Sequence, residues 1–296
     1  MKLRDIYAQP GVQLSIEFFP PKTDDGVRKL FEELEVLREL RPSFCSVTFG
    51  AAGSTRDRTV EMVERIHRET GLEVMCHLSV VGQSKDEVRG VLAELRRKEI
   101  DNLIALRGDP PRGVAEWTPH PDGFLYSVDL VKEARALDWF SIAVAGFPET
   151  HPQAESPESD LQYLKEKVDA GADVVITQLF YDNDDFYHFV ERARAIGITV
   201  PIVPGVFPVI SAEQTRRFTS FCGSRIPPRL GALLDQVAGD DDAAIRMGID
   251  YATEQCAGLL EFGIPGIHFY SMNRSRSAAA IVDNLSLRDR REPAST

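Results

Sequence analysis

Eight short apolar runs recur along the chain with amphipathic segments between them, and this alternation limits the fold more than any other feature. The runs are Gln13 to Phe19, Phe44 to Phe49, Leu72 to Val80, Asn102 to Leu106, Phe140 to Ala145, Asp173 to Phe180, Val200 to Val206 and Gly266 to Tyr270. Most are nearly continuous in apolar residues, as parallel strands buried on both faces require. Helical patterns fill the intervals. After Thr23, a cap residue followed by Asp24 and Asp25, the residues Val27, Leu30, Phe31, Leu34 and Leu37 recur at helical spacing. Ser84 and Glu87 make a capping box ahead of Val88, Val91, Leu92 and Leu95. Ser156-Pro157-Glu158 starts another helix, with Leu161, Leu164 and Val168 on one face and Gly171 at its end. Further helices are expected over Thr59 to Glu69, Val128 to Leu137, Asp184 to Ile196, Ala212 to Phe221, Ala243 to Phe262 and Arg276 to Leu285.

Eight strand–helix units in 296 residues predict an α/β fold, a single (β/α)8 TIM barrel forming one catalytic domain over residues 1–296. A doubly wound open sheet is the rival. A dinucleotide-binding sheet would carry a Gly-rich turn after its first strand, and the chain has neither GxGxxG nor a P-loop.

Composition narrows the chemistry. The formal net charge of −12 opposes binding to a phosphate backbone, so nucleic acid is not an expected partner. No apolar run is long enough to span a bilayer, and the first residues lack a signal-peptide core, so no membrane partner is expected either. Cys45, Cys76, Cys222 and Cys256 are far apart and form no CxxC pair, which fits the reducing cytoplasm better than a disulfide framework. Three of them lie in apolar segments as core residues. Metal sites have no support, since HExxH is absent and the six histidines show no paired spacing. A serine hydrolase lacks its GxSxG elbow.

In a barrel of this class the active site forms at the C-terminal strand ends. The polar residues falling there are Glu17, then Thr48 followed by Gly50 and Gly53, His77, Arg107-Gly108-Asp109, Pro148, Glu149 and His151, Thr177 and Gln178, and finally Arg274. The Pro/Gly-rich stretch Gly108 to Gly123 reads as a functional βα loop. Glu17 stands between Ile16 and Phe18-Phe19, and an apolar setting raises a carboxylate pKa and makes a proton donor of it. The residues alone leave the bland readings open: Glu17 on a polar strand face, Arg107–Asp109 as a loop ion pair, His77 as a core histidine. Gln178 is harder to dismiss, because a buried amide needs partners and a ligand supplies them.

The segments Glu17-Phe18-Phe19-Pro20-Pro21, Val47-Thr48-Phe49-Gly50, Arg56-Asp57-Arg58-Thr59, Ala105-Leu106-Arg107-Gly108-Asp109, Glu149-Thr150-His151-Pro152, Asp169-Ala170-Gly171-Ala172, Ile176-Thr177-Gln178 and His268-Phe269-Tyr270 closely resemble the methylenetetrahydrofolate reductase family. They occur in the family's order from Ser15 to about Leu285. The resemblance is to a bacterial-type member, a catalytic barrel alone, for which inhibition by adenosylmethionine is not expected.

The resemblance implies a cytoplasmic FAD enzyme of one-carbon and methionine metabolism. It would oxidise NAD(P)H and reduce 5,10-methylenetetrahydrofolate to 5-methyltetrahydrofolate, the two substrates taking turns at one flavin face. A homo-oligomer is expected. Glu17 matches the acid that opens the folate's five-membered ring, and Asp109 the aspartate beside flavin and pterin. Gln178 matches the glutamine shared by pterin and nicotinamide. Phe218 matches an aromatic packing on the substrates, and Gln214, Arg274 and Thr48 match other substrate-side positions. For FAD the matching positions are Thr48, Phe49, His77, Arg107, Gly108, Asp109, Tyr126, Ser127, His151, Pro152, Gln153, Ala154, Asp160 and Lys167. Three residues depart from the pattern: Tyr163 for asparagine, Glu166 for arginine and Phe147 for tyrosine. The lost cation at Glu166 predicts weaker contacts to the diphosphate and a larger share for Lys167. NADH and NADPH both stay open, since no Rossmann acidic residue exists to read. The rivals are a non-flavin barrel enzyme, such as an aldolase or pterin-binding methyltransferase, and a folate- or flavin-binding module without catalysis. Glu17 and Asp109 argue against the last.

Overall fold

A computed structural model of the chain describes residues 1–49, 56–108 and 120–288. In chain order the elements are α1 (Leu3–Ile6), β1 (Gln13–Phe18), α2 (Asp24–Arg38), β2 (Phe44–Val47), α3 (Arg56–Thr70), β3 (Val74–Ser79), α4 (Lys85–Arg97), β4 (Asn102–Leu106), α5 (Ser127–Ala136), β5 (Ser141–Gly146), α6 (Pro157–Asp169), β6 (Val174–Leu179), α7 (Asn183–Ala195), β7 (Ile202–Val206), α8 (Ala212–Cys222), α9 (Pro228–Gln236), α10 (Asp241–Phe262), β8 (Gly266–Tyr270) and α11 (Arg276–Asn284). The strands follow one another in parallel around a closed barrel, and β8 returns to pair with β1. This is the expected (β/α)8 architecture, and every expected strand is present.

Pleating sorts each strand into two faces. Leu14, Ile16 and Phe18 of β1, Cys45 and Val47 of β2, and Ile267 and Phe269 of β8 turn outward. They join Leu30, Leu34 and Leu37 of α2 and their counterparts on other helices in one continuous core between barrel and helices. The caps read from the sequence are present: Thr23 accepts from the amide of Gly26, and Ser84 and Glu87 close a reciprocal capping box.

The inward positions form layers. The lower layer is apolar: Phe44, Met75, Ile104, Ala143, Val174, Ile176 and Val203 meet Leu3 and Ile6 of α1, which closes the barrel floor. The Leu3 amide donates to Asn102 Oδ1 at 2.8 Å and the Arg4 amide to Ser141 Oγ at 3.1 Å, so the first residues of β4 and β5 hold the plug. Neither α1 nor α9 is expected from periodicity. A single turn carries no repeat to detect. In α9 the wholly buried apolar residues are only Leu230 and Leu234.

At the opposite end, Leu179, Tyr181, Phe207, Val209, Leu230 and Leu234 form a separate apolar cluster, with Phe218, Tyr270 and Met272 against it. It seats α8 beside the C-terminal ends of β6 to β8. Among the described residues no helix is long and apolar enough to cross a membrane.

Candidate active site

Glu17 points into the barrel, and its setting differs from the expected one. Ile16 and Phe18 belong to the outer core, because alternate residues of a strand face opposite ways. The carboxylate instead meets two histidines: Oε2 lies 3.3 Å from His77 Nε2 and 3.6 Å from His268 Nε2. All three side chains are buried. Burial pushes His77 down to about 4, against the opposing pull of Glu17, so this histidine is neutral near pH 7. The 3.3 Å approach is thus no salt bridge, and His77 Nε2 makes no aligned hydrogen bond. His268 Nδ1 lies 2.8 Å from Ser15 Oγ, one inward position below Glu17 on the same strand.

The turn after β8 holds the end of β1. Ser271 Oγ donates to the Glu17 carbonyl at 2.7 Å, and Asn273 brackets Phe19, accepting from its amide at 2.7 Å and donating to its carbonyl at 2.9 Å. Met272 and Asn273 both take positive φ, 52° and 57°, to make this turn. Backbone in that region is costly for residues other than glycine, and it persists where surrounding contacts over-determine it. Arg274 follows on the exposed rim.

Across the mouth, the β6–β7 register shifts between Ile176 and Leu179, an irregularity that re-aims side chains at a strand end. Gln178 lies in it, half-buried, its Oε1 accepting from the Leu179 amide at 2.8 Å. Tyr270 reaches over β7, its hydroxyl donating to the Thr177 carbonyl at 2.6 Å. Gly205 makes this possible: a Cβ there would lie 2.2 Å from the Thr177 oxygen and 2.6 Å from the Tyr270 ring. Phe218 of α8 packs edge-on to Phe207 with ring centroids 5.3 Å apart, and Gln214 is one turn back on the same helix.

The residues matched to FAD gather on the β2 to β5 side. Thr48 and Phe49 continue β2, the Thr48 carbonyl accepting from Thr59 Oγ1 at 3.0 Å and Phe49 packing on the outer core. Arg107 Nη2 donates to Gln153 Oε1 at 2.5 Å, joining the β4 end to the loop after β5. Gly108 has φ +85°, and a Cβ there would lie 2.5 Å from Val81 Cγ1, so only glycine lets this turn close onto the β3 end. In the β5–α6 loop the His151 amide donates to Asp160 Oδ2 at 2.9 Å, His151 Nδ1 accepts from the Gln153 amide at 3.0 Å, and Ala154 closes a turn back to the His151 carbonyl. Phe147 packs edge-on to the His151 ring at 4.6 Å, and Pro152 is exposed. Lys167 Nζ donates to the Ala145 carbonyl at 2.7 Å, and burial pushes its ammonium down to about 8. It therefore stays mostly protonated near pH 7 and stands against the top of β5, not out in solvent. Tyr126 and Ser127 begin α5, with Tyr126 exposed. Tyr163 and Glu166 are both exposed on α6. Asp109, with Gly50 and Gly53, lies outside the described residues.

This donor set fits a dinucleotide cofactor. Arg107 after β4, and Lys167 of α6 bonded to the Ala145 carbonyl near the end of β5, are two cations on this side of the barrel that can take phosphate oxygens. His77 Nε2 is a buried polar atom without a hydrogen-bond partner. Sequence reasoning carried His268, Tyr270, Ser271 and Asn273 only within a longer segment and did not single out Ser15, whereas the structure sets Ser15 and His268 beside Glu17, Ser271 and Asn273 at the end of β1, and Tyr270 against the end of β6. One signal was available: Ser15 and Glu17, like His268 and Tyr270, share strand parity, which puts polar side chains together on the inner face.

The sequence profile of the methylenetetrahydrofolate reductase family matches residues 2–286. Methylenetetrahydrofolate reductase (NADH) 1 of Arabidopsis thaliana is 42% identical over 299 residues, covering 97% of this chain and 50% of the relative. The 5,10-methylenetetrahydrofolate reductase of Escherichia coli (strain K12) is 37% identical over 282 residues, covering 95% of this chain and 93% of that one. The chain thus spans about half the length of its plant relatives and over nine-tenths of the bacterial one. Among solved structures, an uncharacterized Clostridium thermocellum protein that binds two copies of 5-methyl-5,6,7,8-tetrahydrofolic acid shares the fold. Its TM-score is 0.63 at 17% identity, covering 97% of this chain and 98% of that one.

Proposed function

The chain belongs to the methylenetetrahydrofolate reductase family, and from that premise we propose that it reduces 5,10-methylenetetrahydrofolate to 5-methyltetrahydrofolate, with FAD as cofactor and a reduced nicotinamide as donor. The observation that carries the reading is Glu17, a buried carboxylate at a strand's C-terminal end, facing the barrel mouth between two histidines. The product keeps its new methyl group on N5, so the bond that must break joins the methylene carbon to N10. The departing N10 needs a proton, and the methylene carbon, left as an iminium on N5, accepts hydride. Glu17 is the group assigned to hold and deliver that proton. Neutral His77 adds no competing positive charge beside it, and His268, braced by Ser15, backs the carboxylate.

Gln178 and Phe218 are assigned to orient whichever substrate occupies the mouth, with Thr48, Gln214 and Arg274 on the substrate side. FAD, when bound, would supply a hydride acceptor and donor between the two substrates. It would be held by Thr48, Phe49, His77, Arg107, Gly108, Tyr126, Ser127, the run from His151 to Ala154, Asp160 and Lys167. Asp109 is assigned a place beside both flavin and pterin, where its charge favours the cationic folate. NADH in the plant relative's name favours NADH as donor. Four free thiols, with no disulfide among the described residues, fit a cytoplasmic setting.

Separating the two half-reactions tests the proposal. In Glu17→Gln, stopped-flow flavin reduction by NADH should keep its rate. Folate reduction should slow by about 10²–10⁴-fold, the usual worth of a general acid. Equal losses in both halves would make Glu17 structural and sink the reading.

A further inference from the structure

Glu149 takes no part in the chemistry just described, yet its carboxylate is nearly buried and bonded to a distant segment. It lies in the β5–α6 loop, two residues before His151, with its side chain 11% exposed. Its Oε1 accepts from the Arg225 backbone amide at 2.8 Å, and its buried Oε2 has no hydrogen-bond partner. Arg225 follows α8. Its guanidinium reaches α7, where Nη2 lies 2.8 Å from Asp185 and 3.3 Å from Asp182, while Nε stays 3.8 Å from Glu149. Beside Arg225, Ser224 Oγ donates to the Leu179 carbonyl at the end of β6 at 2.8 Å. Thr150, between Glu149 and His151, has φ +78°, a conformation that a β-branched residue adopts only when held there. One end of this loop is therefore tied to Asp160 through the His151 amide, and the other to the end of α8.

We propose that Glu149 is a positioning residue: its carboxylate clamps the end of α8 to the β5–α6 loop and so sets where α8 holds Gln214 and Phe218 at the barrel mouth. The functional half of this inference rests on the reading of the mouth as a folate site. The clamp couples the loop matched to FAD with the helix matched to the substrates, two parts of the mouth that share no strand.

The clamp is pH-sensitive with a defined sign. Burial raises Glu149 from 4.5 to about 7, with Asp185 adding to the rise and Arg225 opposing it. A group that binds its proton more tightly when docked favours docking at low pH, so the clamp loosens as pH rises through 7. The charged groups facing it are Arg225, Asp182 and Asp185. His151 and Glu155 are the other titratable side chains on its own loop.

Hydrogen exchange on the purified flavoprotein without substrates tests the clamp directly. After correction for intrinsic rates, opening of the segment around Ser224 and Arg225 should increase about tenfold between pH 6 and pH 8 in the wild type. Glu149→Gln keeps the shape and an acceptor for the Arg225 amide, and should make opening independent of pH. The KM for methylenetetrahydrofolate should rise over the same range in the wild type and stay flat in the variant, with kcat changing less than KM. Arg225→Gln keeps the amide and should open more at both pH values while retaining the slope. A flat wild-type profile, or a slope that survives Glu149→Gln and so belongs to another group such as Asp185, whose carboxyl burial also raises, overturns the clamp. A pH-dependent opening with no matching change in KM overturns the positioning role and leaves the folate reading intact. A wild-type protein that does not reduce the folate at all sinks that reading and leaves the exchange result standing.

Discussion

At the scale of single residues, function turns on which way a side chain faces. Glu17 has apolar neighbours in sequence and polar ones in space, because the pleat sends Ile16 and Phe18 to the helix layer and Glu17 to the axis. Its candidacy was legible from its place at a strand end, but its partners were not, since Ser15–His268 contact joins residues 253 positions apart. Glu149 was legible as a polar residue after the fifth strand and as part of a motif, but its partner Arg225 was not. The burial of Glu149 yields a stability prediction. The folded carboxyl holds its proton up to about pH 7, whereas the unfolded one releases it near 4.5. Glu149 therefore contributes stability below pH 4.5 that is lost as pH rises through 7. Urea denaturation should show the wild-type stability, relative to Glu149→Gln, falling by roughly 1–3 kcal/mol from pH 4.5 to 8. A difference that is constant with pH would show that the carboxyl is solvated in the folded protein.

At the scale of elements, strands and capped helices follow from local pattern, while irregularities follow from packing. The box at Ser84 and Glu87 is a property of four consecutive residues and was readable as such. The register shift in β6 was not readable, because Ile176-Thr177-Gln178-Leu179 looks like any buried strand. It exists where β7 and Tyr270 crowd the strand end, and Gly205 is the small residue between them. Gly205→Ala should cost about 1–3 kcal/mol through overpacking and should move Tyr270, whose hydroxyl is bound to the Thr177 carbonyl. Denaturant midpoints give the cost, and tyrosine fluorescence or ultraviolet difference spectra report the ring. An unchanged midpoint would mean that β7 yields freely there. The short helices α1 and α9 escaped sequence reading because their burial is set by what they cover, not by a repeat of their own.

At the scale of the whole molecule, α1 closes the barrel from below, and at the opposite end α8 meets the segments that follow β5 and β8. Leu3 is fully buried in the floor against residues of β2 to β7. Leu3→Ala should destabilise the protein by about 2–5 kcal/mol, as core truncations do, while leaving the mouth's ligand affinity unchanged in the folded fraction. Calorimetry for stability and flavin titration for affinity separate the two effects, and a parallel loss of affinity would show that floor and mouth are not independent. The sequence by itself determined that this chain is an eight-fold strand–helix repeat, because the spacing of apolar residues is a local property that a closed parallel barrel satisfies throughout. It also carried the family motifs and the strand ends at which they lie. Only the tertiary structure decided the company each motif keeps. Closure pairs Gln13–Glu17 with Gly266–Tyr270 and brings His268 beneath Glu17, and packing of α8 brings Arg225 to Glu149, 76 residues away. Such contacts depend on how the ends of separate elements converge in space, and no periodicity within one segment records that.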